Sequence, residues 1–86
     1  MTRRLAELAG SDVATALTAE SILVVPTGAV EHHGPHLPLV TDALIAESVA
    51  ARAVADAHAA GLDTWLLPTL SVTKSDEHHW APGTLW

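Results

Sequence analysis

There is no cysteine among the 86 residues. That excludes disulfides and thiolate metal sites, so any metal must be held by imidazole and carboxylate. Cationic residues are scarce: Arg3, Arg4, Arg52 and Lys74 face ten acidic residues, for a net charge of −6. Nucleic acid is thereby disfavoured as a partner, since it needs a basic face. No apolar run approaches the roughly 20 residues of a membrane span. The Met1-Thr2-Arg3-Arg4 start is not followed by the apolar stretch of a signal peptide, because Glu7, Gly10, Ser11 and Asp12 interrupt it. The expectation is a cytoplasmic chain with no membrane partner. Internal repeats and low-complexity linkers are absent. No G-x-S-x-G elbow surrounds any serine, which disfavours a Ser–His nucleophile. A chain this short holds at most one small domain with a modest core.

What the sequence does have is concentrated in residues 31–42, Glu31-His32-His33-Gly34-Pro35-His36-Leu37-Pro38-Leu39-Val40-Thr41-Asp42. Three histidines and two carboxylates share this stretch with one glycine and two prolines. Metal-binding side chains are thus packed into a loop whose backbone proline stiffens. The flanking pattern is that of a mixed α/β unit. Ser11 is a candidate N-cap for a short helix over about 12–18, with Val13 and Leu17 on one face. Residues 21–25 form a continuous apolar run that suits a strand buried on both faces. A helix is expected from Thr41 or Asp42 to about Ala60, with Thr41 as cap, Asp42 in the first turn and Gly61 as the residue past the end. Ile45 and Val49 form its one apolar stripe, and Arg52 and Asp56 are spaced to pair. Residues 64–67 read as a second strand, closed by Pro68. Strand, helix and strand make one βαβ unit with a parallel pair. Both edges of such a sheet are expected to be open, with more apolar surface than the unit can hide.

Five of the six histidines fall at 32–36 and 78–79, each segment following a predicted strand. Loops at the carboxyl ends of parallel strands share one rim and form the ligand crevice of open α/β sheets. Glu31 and His33, two apart in an extended loop, point the same way and can reach one ion. Asp42, across the loop, adds a third donor. This carboxylate and imidazole set suits zinc or manganese. His32 is expected to face away from the site, and His36 to orient a ligand. His58 reads as a plain surface residue of the helix. Ser75, Glu77 and His78 are candidates for binding substrate or supporting the site.

Residues 25–42, V-P-T-G-A-V-E-H-H-G-P-H-L-P-L-V-T-D, resemble the signature of the creatininase family. Residues 75–84, S-D-E-H-H-W-A-P-G-T, resemble its second block. His32 stands where the family usually has Gln, Val72-Thr73 where Tyr-Gly is common, and Ala81 where Phe is usual. The resemblance implies a three-layer α/β/α domain, of which residues 1–86 would be the N-terminal βαβ part, and assembly as a hexamer. It implies a metal-dependent amidohydrolase with two zinc or manganese ions, acting on a cyclic amide, a formamide or a small peptide. Glu31 and His33 would ligate the two different ions, and Asp42 would bridge them. Ser75 would lie near the substrate, with Glu77 and His78 supporting the site. The family's remaining His and Glu ligands and its catalytic histidine are expected beyond Trp86, so the alternative expectation is a truncated, non-catalytic remnant or a metal-binding fragment without enzyme activity.

Overall fold

The computed structural model describes residues 2–86. Helix α1 covers Gly10–Ala16, strand β1 Ile22–Val24, helix α2 Thr41–Ala59 and strand β2 Thr64–Leu66, with single 3-10 turns at Leu5–Glu7 and Asp76–His78. The two strands pair in parallel, Ile22 opposite Thr64 and Val24 opposite Leu66. The chain is therefore α/β, built on one parallel βαβ unit.

Helix α2 ends as its sequence predicts. Gly61 takes φ of 99°. Its N–H donates to His58 and that of Leu62 to Ala57, each at 3.0 Å. These two bonds satisfy the last carbonyls, and the left-handed turn that allows them favours glycine. The two expected N-caps are different. Val40 occupies the cap position of α2, and Thr41 is the first helical residue. The Thr41 hydroxyl instead donates back to the Pro38 carbonyl at 2.6 Å. Helix α1 starts one residue before Ser11 and has no side-chain cap.

The buried face of α2 also departs from expectation. Ile45 and Val49 are 58% and 64% exposed, while Ala43 and Val54 are buried. Eleven positions apart, Ala43 and Val54 lie on one helical face at 100° per residue. Small alanines along that face let α2 sit close to β2. The Thr64 hydroxyl fastens the contact by donating to the Val54 carbonyl at 2.9 Å. Trp65 is the largest fully buried side chain.

One of the two sheet edges expected to be open is covered. Arg4 bridges Leu66 in parallel, and the Leu66 N–H donates to the Arg3 carbonyl at 2.8 Å. The Arg3 side chain locks this third segment in place. It meets Asp63 at 2.6 Å and lies 3.8 Å from the centre of the Trp65 ring. Hydrogen bonds from Ser21, Arg3 and Trp65 hold the Asp63 carboxyl below the ordinary carboxylate range.

The β1 edge has no partner besides β2 among the described residues. Ile22, Leu23 and Val25 are exposed along it, contrary to the expected burial on both faces. The radius of gyration is 15.6 Å, against about 12 Å for a compact chain of this length. Exposed apolar sheet edges and patches favour association. The isolated chain is therefore expected to self-associate in sedimentation velocity runs, and Leu23→Lys, which places a charge on the open edge, to shift it toward monomer. A monodisperse monomer of the unaltered chain would contradict this. No described helix is long and apolar enough to cross a membrane.

Candidate metal centre

Pro26 and Pro68 end the strands, yet the two chain segments stay paired beyond them. The Leu70 N–H donates to Pro26 and the Gly28 N–H to Leu70, both at 2.9 Å. The Thr73 hydroxyl donates to the Gly28 carbonyl. The loops after β1 and β2 therefore leave the sheet side by side and reach one rim, as the parallel topology requires. Further along, the Leu85 N–H donates to Val30 at 2.8 Å and the His32 N–H to the Thr84 hydroxyl at 3.2 Å.

Gly28 sets the distance between this rim and α2. A Cβ there would lie 2.6 Å from Ala43 Cα, so only glycine lets the loop backbone rest on the first turn of the helix. That contact carries Asp42, next to Ala43, to the start of the histidine loop. The Glu31 N–H donates to the Leu39 carbonyl at 2.9 Å and closes the loop between them.

Glu31, His33 and Asp42 each place a donor atom within 4.8 Å of the others. His33 Nε2 is 2.9 Å from Asp42 Oδ1, and its Nδ1 is 3.3 Å from the Glu31 carbonyl oxygen. An Nδ1–H donating to that carbonyl fixes the tautomer that turns the Nε2 lone pair toward Asp42. Two electron-pair donors facing each other so closely call for a proton or a cation between them. Glu31 is only 8% exposed. Ser75 supplies the one hydrogen bond found on its carboxylate among the described residues. A buried carboxylate is costly without a compensating charge, so this donor set fits a divalent cation.

A second group shares Glu31. Donor atoms of Glu31, Glu77 and His78 also lie within 4.8 Å of one another. Here Lys74 offsets part of the negative charge. Lys74 Nζ lies 2.7 Å from Glu77 and 2.9 Å from Asp76. Hydrogen bonds from Lys74 hold both carboxyls below their ordinary range, and the Lys74 ammonium is raised in turn. His78 Nε2 stands 3.9 Å from Glu31 Oε2, and its buried Nδ1 has no hydrogen-bond partner. Glu77 and His78 thus stand beside the first group, joined to it through Glu31. The Lys74 pairing escaped the sequence reading, although Asp76 and Glu77 two and three positions on were its visible signal.

The remaining candidates divide. Ser75 is fully buried, and its hydroxyl donates to Glu31 Oε2. His36 is exposed and has no hydrogen-bond or ion-pair partner among the described residues. His32 turns aside, its ring centre 5.5 Å from that of Trp80. His58 is exposed in the last turn of α2.

Comparison with known proteins gives this arrangement a context. A family model described as creatinine amidohydrolase matches residues 6–86. The mycofactocin precursor peptide peptidase of Mycobacterium tuberculosis is 43% identical over 68 residues, covering 73% of this chain and 27% of the relative. The proteins of the same name from Mycolicibacterium smegmatis and Mycobacterium ulcerans are also 43% identical, over 65 and 68 residues. The chain thus spans about a quarter of the length of these curated relatives, 26–27%. No solved structure matches it to a significant degree. With both the histidine loop and the Ser75 segment inside the matched residues, the chain belongs to the creatininase family of metal-dependent amidohydrolases.

Proposed function

We propose that residues 1–86 are the N-terminal part of one creatininase-like domain and carry part of a dinuclear centre that hydrolyses a C–N amide bond. The observation behind this reading is the convergence of Glu31, His33 and Asp42 within 4.8 Å. In it, Glu31 and His33 would hold different ions and Asp42 would be shared by both. When bound, zinc or manganese would lower the pKa of a coordinated water and polarise the amide carbonyl. The chain's own residues prepare that chemistry. The Glu31 carbonyl fixes the His33 ring, Asp42 offers two anionic oxygens from a rigid helical turn, and burial keeps the Glu31 carboxylate out of water. The family's other His and Glu ligands and its catalytic histidine would lie in the part of the relatives that this chain does not cover. Among cyclic amides, formamides and peptides, the relatives' name supports a peptide substrate. The exposed apolar residues of β1 and α2 support assembly with further protein, a hexamer in the family pattern.

The test is a hybrid in which residues 6–86 replace the matching segment of the M. tuberculosis relative. It is expected to cleave a peptide only when zinc or manganese is present, whereas the 86-residue chain alone gives no turnover. A folded, metal-loaded hybrid that leaves peptides, creatinine and N-formyl compounds intact would overturn the proposal.

A further inference from the structure

We infer that Ser75 is a positioning residue for Glu31: its hydroxyl holds one carboxylate oxygen so that the other is presented to the metal. The inference rests on the reading of Glu31 as a ligand. Ser75 is 0% exposed. It donates to Glu31 Oε2 across 44 positions of sequence. A hydroxyl has one proton to give, and here the carboxylate takes it. His78 Nε2, at 3.9 Å from the same oxygen, is beyond hydrogen-bond distance.

The fold fixes both ends of this bond. Glu31 is held through its N–H to Leu39. Ser75 lies at the start of the 3-10 turn Asp76–His78, where its carbonyl accepts the His78 N–H at 3.1 Å. The segment before it is pinned by Thr73 to Gly28. A carboxylate free to rotate can chelate an ion through both oxygens or turn away from it. With Oε2 tied to Ser75, Glu31 becomes a one-oxygen ligand of set direction. Outer partners of this kind typically contribute about 10–100-fold to metal affinity.

Zinc affinity by isothermal titration of the 86-residue chain tests this through a double-mutant cycle. Ser75→Ala is expected to weaken zinc binding about 10–100-fold in the parent and to change nothing further in a Glu31→Gln background. Ser75→Thr and Ser75→Val form a second pair. They are equal in volume and differ by the hydroxyl alone, so any strain from crowding cancels between them. Thr is expected to bind zinc at least about tenfold more tightly than Val. Equal weakening by Ser75→Ala in both backgrounds, or equal affinity of Thr and Val, would overturn the inference while leaving Glu31 a ligand. Glu31→Gln binding zinc as the parent does would remove the ligand reading itself, and the inference with it.

Discussion

Trp65→Ala is expected to abolish the fold of the isolated chain. Trp65 is 1% exposed and is the largest buried side chain. Truncating a buried aromatic residue costs about 3–5 kcal/mol. At roughly 0.05–0.15 kcal/mol per residue, a chain of this size has about 4–13 kcal/mol in hand, and small chains with little core sit at the low end. The substitution removes more than volume. The indole N–H donates to Asp63 at 3.0 Å, and the Arg3 guanidinium rests on the ring. Losing both weakens the hold on the Arg3–Arg4 segment that covers one edge of β2, which keeps its bonds to Asp63 and Leu66. Far-UV circular dichroism through a urea titration reads the outcome. The variant is expected to show no cooperative transition, and Trp65→Phe to keep one at a lower midpoint. A sigmoidal transition within about 1 kcal/mol of the parent would show that α2 and β2 hold together without the indole.

The parts of this fold legible in the sequence are those fixed by neighbours along the chain. The apolar run at Ile22–Val24, the stop at Gly61 and the pairing of Arg52 with Asp56, 3.0 Å apart, are all local. The face of α2 was illegible because alanine carries no preference: Ile45 and Val49 made the only visible stripe, while Ala43 and Val54 made the contact. Nor does sequence show that Arg3 pairs with Asp63, 60 positions away. The candidate site divides in the same way. Glu31 and His33 are two apart, and the start of α2 was visible near Asp42, so their convergence followed from local geometry and one loop closure. The burial of Ser75 against Glu31 did not, because the two belong to loops brought together only when β1 pairs with β2. His36, in the proline-stiffened part of the loop between Pro35 and Leu37, is exposed.

Asp42→Asn is expected to cost the chain its metal while leaving its helix intact. The two effects differ because they depend on different properties of one side chain. For the helix, Asp42 is an anion in the first turn of α2, a favourable interaction with the dipole of about 0.3–1 kcal/mol. Asn loses that charge, but Val40 holds the cap position and the backbone pattern of the turn is unchanged. Helical signal should stay within a few per cent of the parent, roughly the effect of so small a term. For the metal, charge is decisive. Glu31 and Asp42 are the two anions of the group around His33, and in the proposed two-ion centre a shared carboxylate would offset the repulsion between the ions. Asn offers a single neutral oxygen, and its amide nitrogen would present hydrogens to His33 Nε2, 2.9 Å away. The loss should exceed the roughly 10–100-fold that removal of an outer partner costs. His33→Ala removes one neutral donor and leaves both anions, so it should spare more binding than Asp42→Asn does. Plasma emission on dialysed protein gives the ion count, and titration with zinc and with manganese gives the affinities. If Asp42→Asn holds metal as the parent does, Asp42 is only the second residue of a helix, and the two-ion reading of this loop falls.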